Sequence, residues 1–273
     1  MAVNFQNNLM PRRPLTTLSE RTKMPRATHT FICAALCTGL LLPMPPAAAQ
    51  PYPVKPVRMI IGFPPGGGTD IVGRIVAQKL SEALGQQVVA DNRGGASGQI
   101  AAELVAKLPP DGYSLMMAHI AAMSILPSIV AKLPYDPQRD FAPVSLVASG
   151  PNLLVVHPSL PVKTVKALIA LAQSRPGQLQ VSSSGTGTVQ HLAAEFFKLQ
   201  TTTDILHVPY KGAGQSIIDL IAGQVHMSFE SMPPVMNQVR QGKLRALAVT
   251  SAQRMRCCRT FRRWPKAVWP AST

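Results

Sequence analysis

Residues Val57–Leu84 read VRMIIGFPPGGGTDIVGRIVAQKLSEAL, and the fold follows from them. The run Val57–Phe63 is β-branched and apolar, which predicts a strand. Asp70–Leu84 places Ile71, Ile75, Val76, Leu80 and Leu84 on one helical stripe and ends at Gly85, a helix followed by a C′ glycine. Between them, Gly66, Gly67 and Gly68 leave the backbone bare where the helix starts, with Thr69 or Asp70 as the expected N-cap. A helix start presents unpaired amides and a partial positive charge, so an anion held there gains roughly 1.5–3 kcal/mol per charge-assisted hydrogen bond. A tight strand-to-helix turn without a ligand accounts for three glycines equally well.

Outward from this unit the chain keeps alternating strand and helix patterns, the signature of βαβ units on parallel sheets. Gln87–Ala90 reads as a strand, NRGGASG (Asn92–Gly98) opens a helix to Leu108, Tyr113–Ala118 is a strand and Ala121–Ala131 a helix. The pattern then restarts. Ser145–His157 is a long extended run, followed by helices at Thr164–Ser174, Val189–Gln200, Gly214–Ala222 and Pro233–Gln241, and strands at Leu179–Ser182, Ile205–Val208, Val225–Phe229 and Leu244–Thr250. The long strands near residues 150 and 247 are expected to cross between two α/β lobes, and a cleft at the carboxyl ends of their strands is where a ligand would bind. The expected division is 1–49 leader and signal peptide, 50–146 plus 245–254 lobe 1, 147–244 lobe 2, and 255–273 an aberrant tail.

The glycine loop excludes three enzyme classes. A P-loop needs Gly-Lys-Ser/Thr, and Gly68 is followed by Thr69 and Asp70; the third glycine of a dinucleotide fingerprint falls on Ile71; and Ser97 lacks the second glycine of a nucleophile elbow. His119, His157, His191, His207 and His226 are scattered without metal-ligand spacing and read as polar fillers or caps, so neither metal nor cofactor is expected. Net charge does not point to nucleic acid. Residues 1–49 carry five basic and one acidic side chain (+4), 50–250 carry 16 and 11 (+5), and 251–273 carry six and none (+6), so most of the excess of +15 sits at the two ends. Cys33, Cys37, Cys257 and Cys258 also lie in the ends, and no disulfide can staple the body.

At the N-terminus, Lys23 and Arg26 precede the 12-residue apolar run Phe31–Leu42 and the small pair Ala47 and Ala49. That is an export signal with cleavage before Gln50, too short for the ~20 residues of a spanning helix. Met24 is an alternative start, and the expected destination is the periplasm.

A second loop, VSSSGTGTVQHLAAEFF (Val181–Phe197), repeats the first loop's strand, Ser/Gly/Thr-rich turn and helix. One such turn in each lobe suits a clamp on an anionic solute. The stretches YPVKPVRMIIGFPPGGGTDIVGR, DNRGGASGQIAAE, PPDGYSL, LPYDPQRDFAPVSLVA, SSGTGT with HLAAE, HVPYKG and GKLRALAVTSAQR, in that order from about Tyr52 to Arg254, resemble the Bug receptor family, the periplasmic solute receptors of tripartite tricarboxylate transporters. The resemblance implies a two-lobed α/β "Venus flytrap" of mainly parallel sheets flanked by helices, with the first lobe incomplete at its C-terminus. It implies a monomeric receptor, not an enzyme, that captures a small carboxylate and delivers it to membrane permease subunits. In the family, the loops matching Gly66–Asp70 and Ser183–Thr188 hold the carboxylate from opposite lobes, partly through water. The candidate ligand-binding residues are thus Pro65, Gly66, Gly67, Gly68, Thr69, Asp70, Ser183, Ser184, Gly185, Thr186, Gly187, Thr188, Tyr210 and Glu230. Ala118–Ser128 and Glu230 depart from the commonest family forms. An anion-sensing subunit of a signalling partner, or an α/β enzyme acting on an anionic small molecule, are the alternatives.

The resemblance stops after SAQR (Ser251–Arg254). Permitted codons for MRCCRTFRRWPKAVWPAST (Met255–Thr273), read two bases later, spell ALLPDVPTVAEGGLAGFD, which is similar to the family's next segment. Cys258, Pro265 and Pro270 force Leu, Ala and Ala in that frame whatever synonymous codons are used. A one-base deletion or an equivalent two-base insertion near the codon of Arg254 is therefore expected. Resequencing the genomic DNA checks it: the expected read restores the shifted frame, and a clean in-frame read from Arg254 to Thr273 with a soluble, monomeric product refutes it.

Overall fold

The computed structural model describes residues 51–251 and the backbone of Arg262–Arg263. The expected export signal lies outside the described residues, as does the expected tail apart from those two positions. The elements run β1 (Val57–Ile61), α1 (Gly68–Leu84), β2 (Val88–Asn92), α2 (Gln99–Ala106), β3 (Ser114–Met117), α3 (Leu126–Ile129), β4 (Asn152–Val156), α4 (Val165–Ser174), β5 (Gln180–Ser183), α5 (Val189–Thr201), β6 (Leu206–Pro209), α6 (Ala213–Ile221), β7 (Met227–Ser231), α7 (Met232–Arg240), β8 (Arg245–Val249) and β9 (Arg262–Arg263). They build two sheets, a parallel three-stranded one in the order β2-β1-β3 and a six-stranded one in the order β6-β5-β7-β4-β8-β9.

In the larger sheet β4 runs antiparallel to both its neighbours, β7 and β8, and the remaining pairs are parallel. β4 reads NLLVV without alternation because both its faces are covered. Leu154 and Val156 join Phe197, Met227 and Phe229 in one core, and Leu153 and Val155 join Ile217, Leu220 and Val235 in the other. α4 is capped by Thr164, whose side chain accepts from Ala167 N–H at 3.1 Å.

In the smaller sheet, α1 covers β1 through Val76, Ala77, Leu80 and Leu84, against Val57, Met59 and Ile61. The expected stripe needs one correction: Ile75 is 57% exposed, because the helix face turned to the sheet passes through Gly73 and Ala77, whose small side chains let the backbone approach. The expected helix at Ala121–Ala131 is a π-helical turn (Ala121–Ile125) running into the short α3, with Pro127 at its start. A proline there removes an amide from the ladder, and the wider turn accommodates the loss.

Two expectations about long strands also change. Among the described residues only Asn152–Val156 of the run Ser145–His157 joins a ladder, while Leu146 and Val147 are 83% and 46% exposed. An extended segment becomes a strand only when a neighbour takes its backbone hydrogen bonds. Arg245–Val249, expected in lobe 1, pairs with β4 in the larger sheet.

Phe197 is 1% exposed and its ring centroid lies 6.1 Å from that of Phe229, between α5 and β7. Phe197→Ala should cost about 3–5 kcal/mol through lost burial and a residual cavity, whereas Leu199→Ala, at a position 75% exposed, should stay within about 0.5 kcal/mol. Urea unfolding of both variants checks the contrast.

Candidate functional site

The turn Pro64–Gly68 leaves β1 and enters α1 with Gly67 as N-cap and no side-chain cap, so the expected capping by Thr69 or Asp70 is corrected. The first helical bond is Ile71 N–H to Gly67 O (3.0 Å), and the amides before it are those a helix start leaves without a carbonyl one turn back. Asp70 braces the turn from inside. It is 4% exposed; Gly66 N–H donates to Oδ2 (3.0 Å), while Arg74 Nε (2.9 Å) and Asn92 Nδ2 (2.8 Å) donate to Oδ1. Burial pushes this carboxyl up, but the hydrogen bonds from Arg74, Asn92 and Gly66 outweigh it and hold it below its ordinary value.

The glycines face the larger sheet's helix starts. Gly66 has φ +89°, a conformation other residues rarely adopt. Gly68 has the tightest surroundings, since a methyl group there would lie 2.2 Å from Ser231 Oγ at the start of α7. Gly67 has φ −84°, open to any residue, and its constraint is space: a Cβ would sit 3.4 Å from Ala213 Cβ at the start of α6. Gly214 in turn is held against Pro65, where an added Cβ would meet the carbonyl oxygen at 2.6 Å.

The second turn is built from its own hydroxyls. Thr188 caps α5, its side chain accepting from His191 N–H and donating to Gly185 O at 2.7 Å. Ser183 Oγ accepts from Gly185 N–H (3.2 Å) and lies 2.7 Å from His207 Nε2. Ser183, Ser184 and Thr188 are buried, and Thr186 is exposed. Gly185 has φ +133° and Gly187 φ +79°. The smaller sheet's half reaches this turn too: Ser97 Oγ donates to Thr186 O at 2.5 Å, and a Cβ on Gly187 would lie 3.0 Å from both Leu126 and Ile129. Ala96 and Ser97 hold successive left-handed conformations, φ 45° and 56°, which cost non-glycine residues about 1–2 kcal/mol each.

Two of the expected residues are engaged within the larger sheet's half. Tyr210 donates its hydroxyl to Asp219 Oδ2 (2.8 Å), and burial together with that carboxylate pushes the phenol up to about 12. Glu230 follows from the two-residue period of β7, which turns Met227 and Phe229 to one core and Ser228 and Glu230 to the side of α6. Its carboxyl is fully buried; Oε1 accepts from Ser228 Oγ (2.9 Å) and Ser216 Oγ (3.4 Å), and Oε2 is without a partner. Burial, only partly offset by the two hydroxyls, pushes its pKa up to about 7.

The structure thus packs the first turn against Gly212–Gly214 and Ser231 and the second against Ser97, with the histidines 191 and 207 beside the second turn; Ser97 and the two histidines are the residues whose place here sequence reasoning passed over. His119, by contrast, does cap a turn, accepting from Ala121 N–H (3.1 Å), and His226 accepts from Gln180 N–H (3.1 Å). Two open surface depressions, of about 380 Å³ beside Arg58 and Asp91 and about 640 Å³ between Pro127 and Tyr135, touch neither turn.

Against known proteins, residues 72–260 match the model of the tripartite tricarboxylate transporter family receptor. The chain belongs to this receptor family. Among its relatives is the protein BugT of Bordetella pertussis, 40% identical over 77% of this chain and 64% of BugT, so the chain spans under two thirds of that relative's length. A solved R. palustris protein with adipate is 40% identical, with a TM-score of 0.76 over 80% of this chain and 73% of that one. MatC of Rhodopseudomonas palustris, solved with bound malate, is 30% identical, with a TM-score of 0.70 over 74% and 69%. The fold is accordingly the two-lobed periplasmic binding protein of these tricarboxylate-transporter receptors, each lobe a mainly parallel sheet with helices.

Glu230 yields a pH prediction. Its carboxyl is raised from 4.5 to about 7 in the fold, so the folded state binds more protons there than the unfolded chain, and stability is lost as pH rises from 4.5 through 7. Glu230→Gln should remove that loss, flattening the pH dependence by on the order of 3 kcal/mol between those limits. Urea unfolding of both proteins from pH 4.5 to 7.5 measures it.

Proposed function

We propose that this protein is a periplasmic receptor, not an enzyme, that captures a small carboxylate between its two sheets and passes it to the permease of a tripartite transporter. The observation that carries the reading is a pair of bare strand-to-helix turns, each packed against the opposite half of the molecule: Gly66–Gly68 against Gly212–Gly214 and Ser231, and Gly185–Gly187 against Ser97. Each supplies backbone amides at a helix start, which suits an anion. The residues we assign to the carboxylate are Pro65 to Thr69 and Ser184 to Gly187. Asp70, Ser183 and Thr188 shape the turns, Tyr210 supports α6, and Glu230 lies behind the contact at Ser231. Adipate and malate in the related structures support a dicarboxylate or hydroxyacid here, and we assign the receptor as a monomer.

Micromolar affinity requires about 8 kcal/mol, which a few charge-assisted amide and hydroxyl bonds approach once water is excluded. Entry of a ligand requires the two halves to part at these contacts, and the ligand then favours the closed form because only that form offers both turns at once.

Thermal-shift screening of di- and tricarboxylates, amino acids and aromatic acids, followed by calorimetry, tests the reading: a carboxylate should bind and be released unchanged. Gly67→Val should abolish binding by crowding Ala213. Thr69→Ala should weaken it by about 1 kcal/mol or more. Unchanged affinity in both variants places the anion elsewhere, and turnover of the bound acid identifies an enzyme.

A further inference from the structure

His191 on α5 and His207 on β6 stack their rings, with centroids 4.3 Å apart and planes inclined by 30°. Each reaches the second turn with one nitrogen. Gly187 N–H donates to His191 Nδ1 (3.2 Å), and His207 Nε2 lies 2.7 Å from Ser183 Oγ, the atom that also accepts Gly185 N–H. The stacked pair therefore grips both ends of the turn.

The first of these bonds is sensitive to charge. A ring nitrogen that accepts from a backbone amide carries no proton, so His191 makes this contact only as a neutral imidazole; protonated, its Nδ1–H would face the Gly187 N–H, donor against donor. His207 can donate to or accept from Ser183, but a charge on its ring would lie against the His191 ring. The charged groups facing the pair are both on α5: Glu195, whose Oε1 is 3.9 Å from His191 Nε2, and Lys198, bonded to Glu195 at 2.9 and 3.0 Å. From β5 and the turn come only hydroxyls and backbone amides.

A metal is a poorer account of this trio, although ligating atoms of His191, Glu195 and His207 lie within 4.8 Å of one another. Imidazole lone pairs lie in the ring planes, and those of two stacked rings run side by side instead of converging. His191 Nδ1 is taken by Gly187, and both Glu195 oxygens by Lys198.

We propose that His191 and His207 are positioning residues that, as neutral stacked imidazoles, hold the Ser183–Thr188 turn in its anion-binding shape and release it on protonation. The anion-binding part rests on the function proposed above. Burial pushes both imidazoles below their ordinary value of 6.5; for His207 the neighbouring His191 lowers it further, with Glu195 opposing. The held shape requires unprotonated rings, so the grip is complete above 6.5 and is lost as pH falls through the lowered values.

Hydrogen exchange on the full chain tests this directly, through peptides covering 183–188 at about pH 7.5 and pH 5.5, with rates normalised for the intrinsic effect of pH. Protection in the wild type should fall at the lower pH, by up to about tenfold for each histidine that must stay neutral to hold the turn. His191→Asn with His207→Gln keeps polar groups near the positions of Nδ1 and Nε2 but cannot titrate, so this double variant should match the wild type at pH 7.5 and lose the pH dependence. His191→Ala should exchange fast at both. Equal wild-type protection at the two pH values, or the same fall in the Asn/Gln variant, overturns the proposal. Calorimetry with adipate at both pH values separates the two levels. A chain that shows the exchange pattern but binds no carboxylate from the screen keeps the positioning role and loses the receptor reading. One whose adipate affinity falls equally with pH in the wild type and the Asn/Gln variant loses the positioning role alone.

Discussion

The architecture turns on a contact between two stretches of backbone that lack side chains. Pro64–Gly68 and Gly212–Gly214 come so close that a single Cβ on Gly212 would lie 2.7 Å from Pro64, and one on Gly214 would lie 2.6 Å from the Pro65 carbonyl oxygen. Such an approach allows almost no variation in the turn, which explains the bracing behind it. Asp70, its carboxylate taken up by Gly66, Arg74 and Asn92, fixes the turn to the end of β2. Asn92 also donates to Phe63 O at 2.9 Å, so β1, the turn, α1 and β2 form one unit. The cost of burying a carboxylate is met by three donors, and no amide beyond Gly67 in the helix start is used to do it.

The larger sheet holds its end of the contact differently. Ser231, which abuts Gly68, is the last residue of β7, and the residue before it is the fully buried Glu230 with one unpaired oxygen. Ser182, Ser216 and Ser228 surround this carboxyl with a buried hydroxyl network: Ser182 Oγ lies 2.9 Å from Ser216 Oγ, and Ser228 Oγ lies 3.0 Å from Ser182 O. A half-satisfied polar group in a core is unfavourable. Its position along β7, one residue from the interlobe contact, ties that unfavourable group to the strand end that α7 and Gly68 share.

The parts legible in the sequence are those whose causes are local. A β-branched run, three glycines and a 3.6-residue stripe give β1, the turn and α1 within a few residues of the expected bounds, and the second turn is recognisable for the same reason. What is illegible depends on partners distant in the chain. Ser145–Gly150 has strand composition, yet no neighbour among the described residues takes its backbone hydrogen bonds; Arg245–Val249 has the same composition and finds β4. Ile75 belongs to an apolar stripe, but Gly73 decides which face docks. The histidines read as fillers because 191 and 207 are brought together only by the register of β5 and β6, which sets Val181 opposite His207 and Ser183 opposite Pro209. The HLAAE and HVPYKG stretches that contributed to the family resemblance contain His191 and His207, and those were the available hints. Ser97 could not be found from composition, since its role comes from a left-handed backbone.

Every ion pair among the described residues lies within one half of the molecule: Arg58 with Asp91, Arg74 with Asp70 and Lys107 with Glu103 on one side, Lys198 with Glu195 on the other. The halves meet instead through glycine and alanine backbone, the Ser97–Thr186 hydrogen bond and the small apolar contact of Gly187 with Leu126 and Ile129. One neutral hydrogen bond contributes about 1 kcal/mol net, and packing between glycines adds little burial. A junction of this kind fits closely and holds weakly, so it specifies the closed geometry without committing the protein to it. For the receptor role proposed above, that is the useful combination. The smaller the intrinsic preference for closure, the larger the share of the population shift that falls to whatever bridges the two halves, and under the proposed function that bridge is a carboxylate accepting from both helix starts.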